Sequence, residues 1–217
     1  MNSFDERDIQ VLKRIIDTRR SVRSFRGEAP NDALIRDIIH AGAYAPYAAL
    51  AVGDIPDFRR FFVFRKGSAN LALMNEIIKK AAKASTEQLE KELKDKPLLK
   101  ERSARYLQRL GAVSQGGYAG LTEVPCFIVV AEHRGIPSAE KQSLAHVMQN
   151  MWLTATALGL GFQLVSIIES LTEVPDFSKF LKLSPGDFAF NGCIVGYAAQ
   201  PPAVRAAIGE ERVTTWL

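Results

Sequence analysis

The chain has 217 residues, of which 47% are hydrophobic and 24% are charged, which is typical of one folded, water-soluble domain and excludes disorder over most of its length. The net charge is +4, and residues 79–109 alone carry 10 Lys/Arg against 5 Asp/Glu. The basicity is therefore local, and a wholly basic nucleic-acid-binding domain is excluded. We expect a single domain over residues 1–217 with a basic helical insertion at about residues 69–110.

Targeting and membrane segments are not expected. The first residues are too polar for a signal peptide. The uncharged stretch from Gln142 to Ile168 is too rich in amides and glycines for a bilayer span, and it favours a buried helix followed by a buried strand. Cys126 and Cys193 have no metal-ligand or disulfide spacing, so they are interpreted as buried free thiols in a reducing, cytoplasmic compartment.

The first half of the chain predicts mainly helices. Residues 5–17 have the spacing of an amphipathic helix, and a dense polar stretch from Thr18 to Gly27 interrupts it. A second helix starts after Pro30, with an inner stripe of apolar residues (Leu34, Ile35, Ile38 and Ile39). Phe61–Phe64 predicts a short strand, and residues 69–110 predict helices with a break near Pro97.

The second half alternates strands and helices. A small, flexible stretch is expected at residues 111–120. The elements predicted after it are a strand at 126–131, a helix at 143–158 ended by Gly159, a strand at 162–167, a helix at 176–181, a strand at 188–195 and a tail from 198. This order predicts an α+β fold with a mostly antiparallel central sheet flanked by helices.

The segment Arg19-Arg20-Ser21-Val22-Arg23 is the strongest local signal for a binding site. Guanidinium groups bind phosphate in a bidentate manner, and a hydroxyl adds a donor. In an extended segment Arg19, Ser21 and Arg23 point to one side and form an anion cradle. The alternative is a solvated basic loop. Metal clusters and the usual hydrolase and nucleotide-binding motifs are missing from the sequence, so no metal and no catalytic side chain are predicted.

Four motifs, in order, resemble those of the FMN-dependent nitroreductases. They are the R-R-S-x-R-x-F segment from Arg19 to Phe25, Ala45-Pro46 after the second helix, the Q-N-x-x-L-x-A pattern from Gln149 to Gly161, and the apolar strand 188–195 followed by Gly196-Tyr197. The resemblance runs from about Ile9 to the C-terminus. It implies a flavoprotein in which FMN carries the redox chemistry.

The resemblance also implies which residues bind FMN. Arg19 and Ser21, with Arg20 beside them, correspond to the contacts with the phosphate and ribityl chain, and Arg23 corresponds to the basic residue at the flavin pyrimidine edge. Ile168, Glu169 and Ser170 match the segment whose backbone N–H groups lie near flavin N5. Arg205 matches one of a C-terminal basic pair, and Ala203 replaces the other.

One motif of the family is altered. The family pattern P-S-x-x-N-x-Q-P-W becomes Pro46-Tyr47-Ala48-Ala49-Leu50-Ala51-Val52-Gly53-Asp54, which loses the Ser, Asn, Gln and Trp. Pro46, Tyr47 and Ala48 remain candidates for contact with the cofactor. Tyr47 is interpreted either as a cover for the flavin ring or as a packing residue.

The resemblance implies a homodimer that takes hydride from NADH or NADPH and reduces small flat acceptors such as nitroaromatics or quinones in ping-pong fashion. The apolar central helix and the C-terminal tail, which is expected to extend onto the partner subunit, also favour a dimer. Two alternatives stay open: a flavin- or nucleotide-binding protein without turnover, and a family member with divergent flavin chemistry. For residues 79–109 a solvated face is favoured over steering of NAD(P)H and over nucleic-acid binding.

Overall fold

A computed structural model of the protein describes residues 4–47, 55–204, 206, 209, 211 and 213–216, without the side chains of residues 55 and 56. The helices are α1 (Glu6–Thr18), α2 (Asp32–Ala43), α3 (Ile55–Phe58), α4 (Ala69–Glu92), α5 (Pro97–Gly116), α6 (Glu140–Ala157) and α7 (Pro175–Phe180). The strands are β1 (Arg59–Arg65), β2 (Cys126–His133), β3 (Gly161–Leu164) and β4 (Phe188–Gly196), and 3₁₀ turns cover Leu121–Glu123 and Ser166–Glu173.

The four strands form one antiparallel sheet in the order β1-β2-β4-β3. Cys126 of β2 and Phe162 of β3 both pair with Val195 of β4. At the other end of the same strands, His133 pairs with Phe188. The predicted α+β class with a mostly antiparallel sheet is confirmed.

Helices cover both faces of this sheet, which explains why β2 and β4 read as continuous apolar runs. Alternate residues of β2 enter two separate cores. Phe127, Val129 and Ala131 pack towards α4, α7 and the 166–173 turn, whereas Cys126, Ile128 and Val130 pack towards α2 and α6. Both cysteines are buried free thiols, as predicted, and burial raises the pKa of Cys126 to about 11.

Two predicted boundaries are wrong. Helix α5 continues to Gly116, so most of the stretch 111–120 expected to be flexible is helical. Strand β3 ends at Leu164: the Val165 N–H still donates to the Gly192 carbonyl at 2.8 Å, in register with β4, and the chain then enters the 3₁₀ turn at Ser166. Both misassigned stretches end in tertiary contacts that local sequence patterns do not encode.

Helices α1 and α2 differ in how far they are buried. The stripe of α2 faces the core as predicted, with Ile35 and Ile38 only 3% and 0% exposed. Helix α1 has no buried residue at all, and its apolar residues Leu12 and Ile16 are 52% and 46% exposed. An amphipathic helix with an uncovered apolar side has surface available for a further partner.

A buried ion pair anchors the end of α2 to the sheet. The Arg59 guanidinium lies 2.7 Å from the Glu132 carboxylate, and both side chains are fully buried. Arg59 Nη1 also donates to the carbonyls of Gly42, Ala43 and Ala45 around the end of α2. Burial raises the pKa of Glu132 even though Arg59 opposes the shift.

Replacement of Arg59 by Met should lower the free energy of unfolding by about 3–5 kcal/mol, because it leaves the buried Glu132 carboxylate unpaired. Urea denaturation followed by circular dichroism measures this. The exposed neighbour Arg60 offers a control, and Arg60→Met should change stability by less than about 0.5 kcal/mol. The double variant Arg59→Met/Glu132→Leu should recover part of the loss. Wild-type stability in Arg59→Met would contradict the anchoring role.

Candidate cofactor-binding site

The arginine segment 19–23 lies against the outer edge of the sheet. Ser21 forms a parallel bridge with Phe162, and the Val22 N–H donates to the Phe162 carbonyl at 3.0 Å. Val22 is buried, whereas Ser21 and Arg23 on either side of it are exposed. This alternation is the one expected for an extended segment, and it turns Ser21 and Arg23 away from the core.

Gly161 allows this close approach. A Cβ atom added at Gly161 would lie 2.8 Å from Cγ1 and 2.9 Å from Cβ of Val22. Val is stiff at χ1, so it has little freedom to move away. Glycine at this position therefore permits the pairing that carries the arginines.

Trp152 of α6 supports the start of the segment. The Arg19 guanidinium lies 4.2 Å from the centre of the Trp152 ring, a cation–π contact. The same ring stacks on Phe162 with centroids 5.1 Å apart, and its Nε1 donates to the Arg20 carbonyl at 3.2 Å. One tryptophan thus fixes both the Arg19 side chain and the backbone that follows it.

Arg20 binds backbone carbonyls. Its guanidinium donates to the carbonyls of Asp17 (2.7 Å), Arg19 (2.6 Å) and Ala203 (3.0 Å). These bonds bring the start of the C-terminal tail beside the arginine segment. Arg205 and Ala48, two of the residues predicted to contact the cofactor, lie outside the described residues.

A long groove begins at Arg23 and runs between α5 and the chain around β3. We call it the α5 groove. It consists of three adjoining cavities of about 540, 380 and 680 Å³, and neighbouring cavities share lining residues. Its lining includes Arg23, Tyr118, Gln163, Ser166 and Ser170. Each of these cavities has a volume typical of a small-molecule site.

The 3₁₀ turn 166–173 forms the floor of the groove beyond Gln163. Ile168 is buried in the core and holds the turn against the sheet, since a Cβ at Gly192 would lie 2.8 Å from its side chain. Glu169 forms an ion pair with Lys141 at 3.0 Å, and the exposed Ser170 donates to the Ile167 carbonyl at 2.7 Å. The structure thus brings the predicted residues Glu169 and Ser170 into the same groove as Arg23.

Pro46 and Tyr47 lie in a different part of the structure from the α5 groove. The Tyr47 hydroxyl donates to the His133 carbonyl at 3.0 Å, and its ring packs against Phe58 with centroids 4.5 Å apart. Burial, with Glu132 and Glu140 nearby, raises the Tyr47 pKa. His133 pairs with Phe188, seven residues along β4 from the Val195–Phe162 pair, or about 24 Å at about 3.4 Å per residue. Within one chain, Tyr47 and the arginine segment are therefore far apart.

Sequence reasoning missed two polar side chains of the groove, Tyr118 and Gln163. Gln163 Nε2 donates to the Tyr118 hydroxyl at 2.7 Å, across 45 residues of sequence. A signal existed for each: Gln163 interrupts an apolar strand, and Tyr118 follows a Gly-Gly pair. Neither pattern predicts that Tyr118 and Gln163 are in contact.

Within residues 4–47, 55–204 and the few described positions of the tail, no group of three or more His, Cys, Asp or Glu could hold a metal ion. In the same part of the chain, no helix has the length and apolar character that crossing a bilayer requires.

Comparison with known proteins identifies the family. The sequence profile of the Nitroreductase family matches residues 16–197, and the chain therefore belongs to this family. The resemblance predicted from the four motifs is confirmed. No curated protein sequence matches the chain.

Solved structures of this fold are similar over nearly the whole chain. A nitroreductase from Bacteroides fragilis with bound FMN is 19% identical and has a TM-score of 0.68, with 99% of this chain and 100% of that chain covered. A nitroreductase with bound FMN from Desulfitobacterium hafniense is 19% identical, with a TM-score of 0.65 and coverage of 95% and 98%. A protein assigned as an NADH oxidase from Clostridium acetobutylicum is 18% identical, with a TM-score of 0.59 and coverage of 92% and 97%. At these identities the likeness establishes the fold.

Substitution of Gly161 by Ala should separate the arginine segment from β3. The new Cβ would overlap Val22, and overpacking of this kind costs about 1–3 kcal/mol. We expect a lower thermal midpoint and faster amide exchange at Val22. As a control, Gly111 of α5 has no atom within 4 Å of an added Cβ, so Gly111→Ala should not destabilise the protein. Adding Val22→Ala to Gly161→Ala should restore part of the loss, and unchanged exchange at Val22 would count against the role given to Gly161.

Proposed function

We propose that this protein is an FMN-dependent oxidoreductase that takes hydride from NADH or NADPH and reduces small flat acceptors such as nitroaromatics or quinones. The observation that carries the proposal is the position of Arg23. It ends the arginine segment paired to β3, and it also lines the groove that continues to the 166–173 turn. Family membership and the FMN bound to two similar structures support the same cofactor.

The residues present fit FMN. Arg19 and Ser21 would hold the phosphate, because a guanidinium fixed on Trp152 and an exposed hydroxyl offer charge-assisted and neutral donors together. Arg23 would lie beside the pyrimidine edge, where reduced flavin carries negative charge. The backbone of residues 168–170 would line the other side of the ring. Arg20 is proposed to position the tail, since its guanidinium already binds three carbonyls.

Bound FMN would supply the hydride and electron transfer. The protein would then bind, orient and stabilise charge, and no side chain is needed as a nucleophile. The groove is wide and open along its length, so a nicotinamide donor and an acceptor would enter it in turn. Alternate use of one groove supports ping-pong kinetics.

A homodimer would complete the site. The apolar side of α1 is uncovered, with Ile9, Leu12 and Ile16 each more than 40% exposed. Tyr47 lies at the opposite end of the sheet from Arg23, so a two-fold axis could bring Tyr47 of one protomer towards the groove of its partner. We propose that the FMN site lies at this shared interface and that the tail crosses onto the partner. The total area buried would exceed about 2,000 Å².

The test of the proposed function is the visible spectrum of the purified protein after incubation with FMN and gel filtration. Retained flavin absorbance, followed by NAD(P)H oxidation that depends on an added quinone or nitroaromatic, supports the proposal. A protein that takes up no FMN overturns it. Retained FMN without turnover supports the alternative of a flavin-binding protein that is not an enzyme, which the altered 46–54 segment favours.

Substitution of Arg19 by Ala should weaken FMN binding by roughly 10- to 150-fold, because a charge-assisted bond to the phosphate is lost. Quenching of flavin fluorescence on binding measures the affinity. Arg60 is an exposed arginine on β1, at the other edge of the sheet, and Arg60→Ala should leave the affinity unchanged. Equal affinities in the Arg19→Ala variant and the wild type would locate the phosphate elsewhere.

Deletion of residues 198–217 should abolish both the dimer and FMN retention. The tail begins beside the arginine segment, where Arg20 binds the Ala203 carbonyl, and the deletion also removes Arg205. Light scattering gives the mass in solution, and absorbance gives the flavin content. A truncated protein that stays dimeric and keeps its FMN would refute the proposed arrangement.

A further inference from the structure

Tyr118 is held rigidly at the wall of the α5 groove. It follows Gly117, whose φ of 75° ends α5, and the Tyr118 N–H donates to Asn75 Oδ1 at 2.7 Å. A Cβ at Gly117 would lie 2.5 Å from the Asn75 side chain, so glycine permits this close contact. The backbone of Tyr118 is therefore fixed by α4, and its ring lines two of the three cavities of the groove.

The hydroxyl of Tyr118 still has a proton to donate. Gln163 Nε2 donates to the hydroxyl oxygen at 2.7 Å, which fixes the direction of the phenol and occupies one of its acceptor positions. Among the residues that the structure describes, none accepts the phenol proton. Water or a ligand in the groove is the remaining acceptor.

Arg23 places a positive charge near the Tyr118 hydroxyl. It lines the same cavity as Tyr118 and Gln163, and its side chain is exposed to that cavity's solvent. Burial raises the pKa of Tyr118, while the positive charge of Arg23 partly opposes the shift. The phenol therefore remains protonated at neutral pH and can donate a hydrogen bond in the same cavity as the Arg23 cation.

We propose that the Tyr118 hydroxyl, oriented by Gln163, is a hydrogen-bond donor that acts with Arg23 to stabilise the negative charge of reduced FMN. This inference rests on the proposed function. It adds a residue that comes from the end of α5, outside the arginine segment and the 166–173 turn. Gln163 is a positioning residue, since it acts through the phenol.

The arrangement favours the reduced cofactor over the oxidised one. A hydrogen bond to a charged acceptor is roughly twice as strong as one to a neutral acceptor. The Tyr118 hydroxyl would therefore contribute more to the affinity for anionic, reduced FMN than to the affinity for oxidised FMN. By linkage, unequal affinities for the two forms change the midpoint potential of the bound cofactor.

The test compares the wild type with Tyr118→Phe and Gln163→Leu, each loaded with FMN. The dissociation constant of oxidised FMN is measured by fluorescence, and the midpoint potential by equilibration with a reference dye. We expect the affinity of Tyr118→Phe for oxidised FMN to stay within about threefold of wild type, with an additional loss of about tenfold for reduced FMN. That difference lowers a two-electron midpoint by about 30 mV. Gln163→Leu should shift the midpoint in the same direction by less.

Tyr44→Phe is the matched control. It removes the hydroxyl of an exposed tyrosine at the end of α2, outside the α5 groove, and its midpoint should equal that of the wild type. Wild-type midpoints in both Tyr118→Phe and Gln163→Leu, with FMN bound, overturn the inference and leave the proposed function intact. Equal losses for oxidised and reduced FMN also overturn it. If Tyr118→Phe does not fold, the midpoint of Gln163→Leu decides. A wild-type protein that binds no FMN overturns the proposed function and this inference together.

Discussion

The backbone hydrogen bond from Val22 to Phe162 determines where the cationic residues of this fold lie. β3 would otherwise be a bare edge of the sheet, and the pairing gives its open carbonyl a partner while directing Ser21 and Arg23 outwards. It requires a glycine at position 161, because any Cβ there would overlap Val22. One short pairing therefore closes the sheet edge and also delivers an arginine to the start of the groove.

The groove in turn depends on the helical hairpin α4–α5. That hairpin carries the basic excess of the chain, yet its contribution to the site comes from the end of α5, where Asn75 of α4 fixes the Tyr118 backbone. Tyr118 meets Gln163 of β3 across the groove. Helix α5 is thus tied to the same strand as the arginine segment, and a change in its position would alter the groove next to Arg23.

The sequence predicted those features that depend on local pattern. Strands β2 and β4 are covered on both faces, so their apolar runs were unambiguous, and the arginine segment was visible as a cluster of guanidinium groups. The end of β3 was not predictable, since Val165 and Ile167 are β-branched and apolar, yet the chain enters a 3₁₀ turn at Ser166. The Tyr118–Gln163 contact joins residues 45 apart in sequence, and nothing local specifies it.

Four arginines of this chain differ in how many protein groups each guanidinium binds. Arg59 is fully buried, bound to Glu132 and to the end of α2, and it serves stability alone. Arg20 binds three carbonyls and holds the tail. Arg19 lies over the face of the Trp152 ring, which holds its guanidinium in place. Arg23 is exposed, and no described residue accepts a hydrogen bond from its guanidinium. Of these four arginines, Arg23 is the one whose guanidinium has no acceptor among the described residues, so it is available, with Tyr118 in the same cavity, to an anionic ligand.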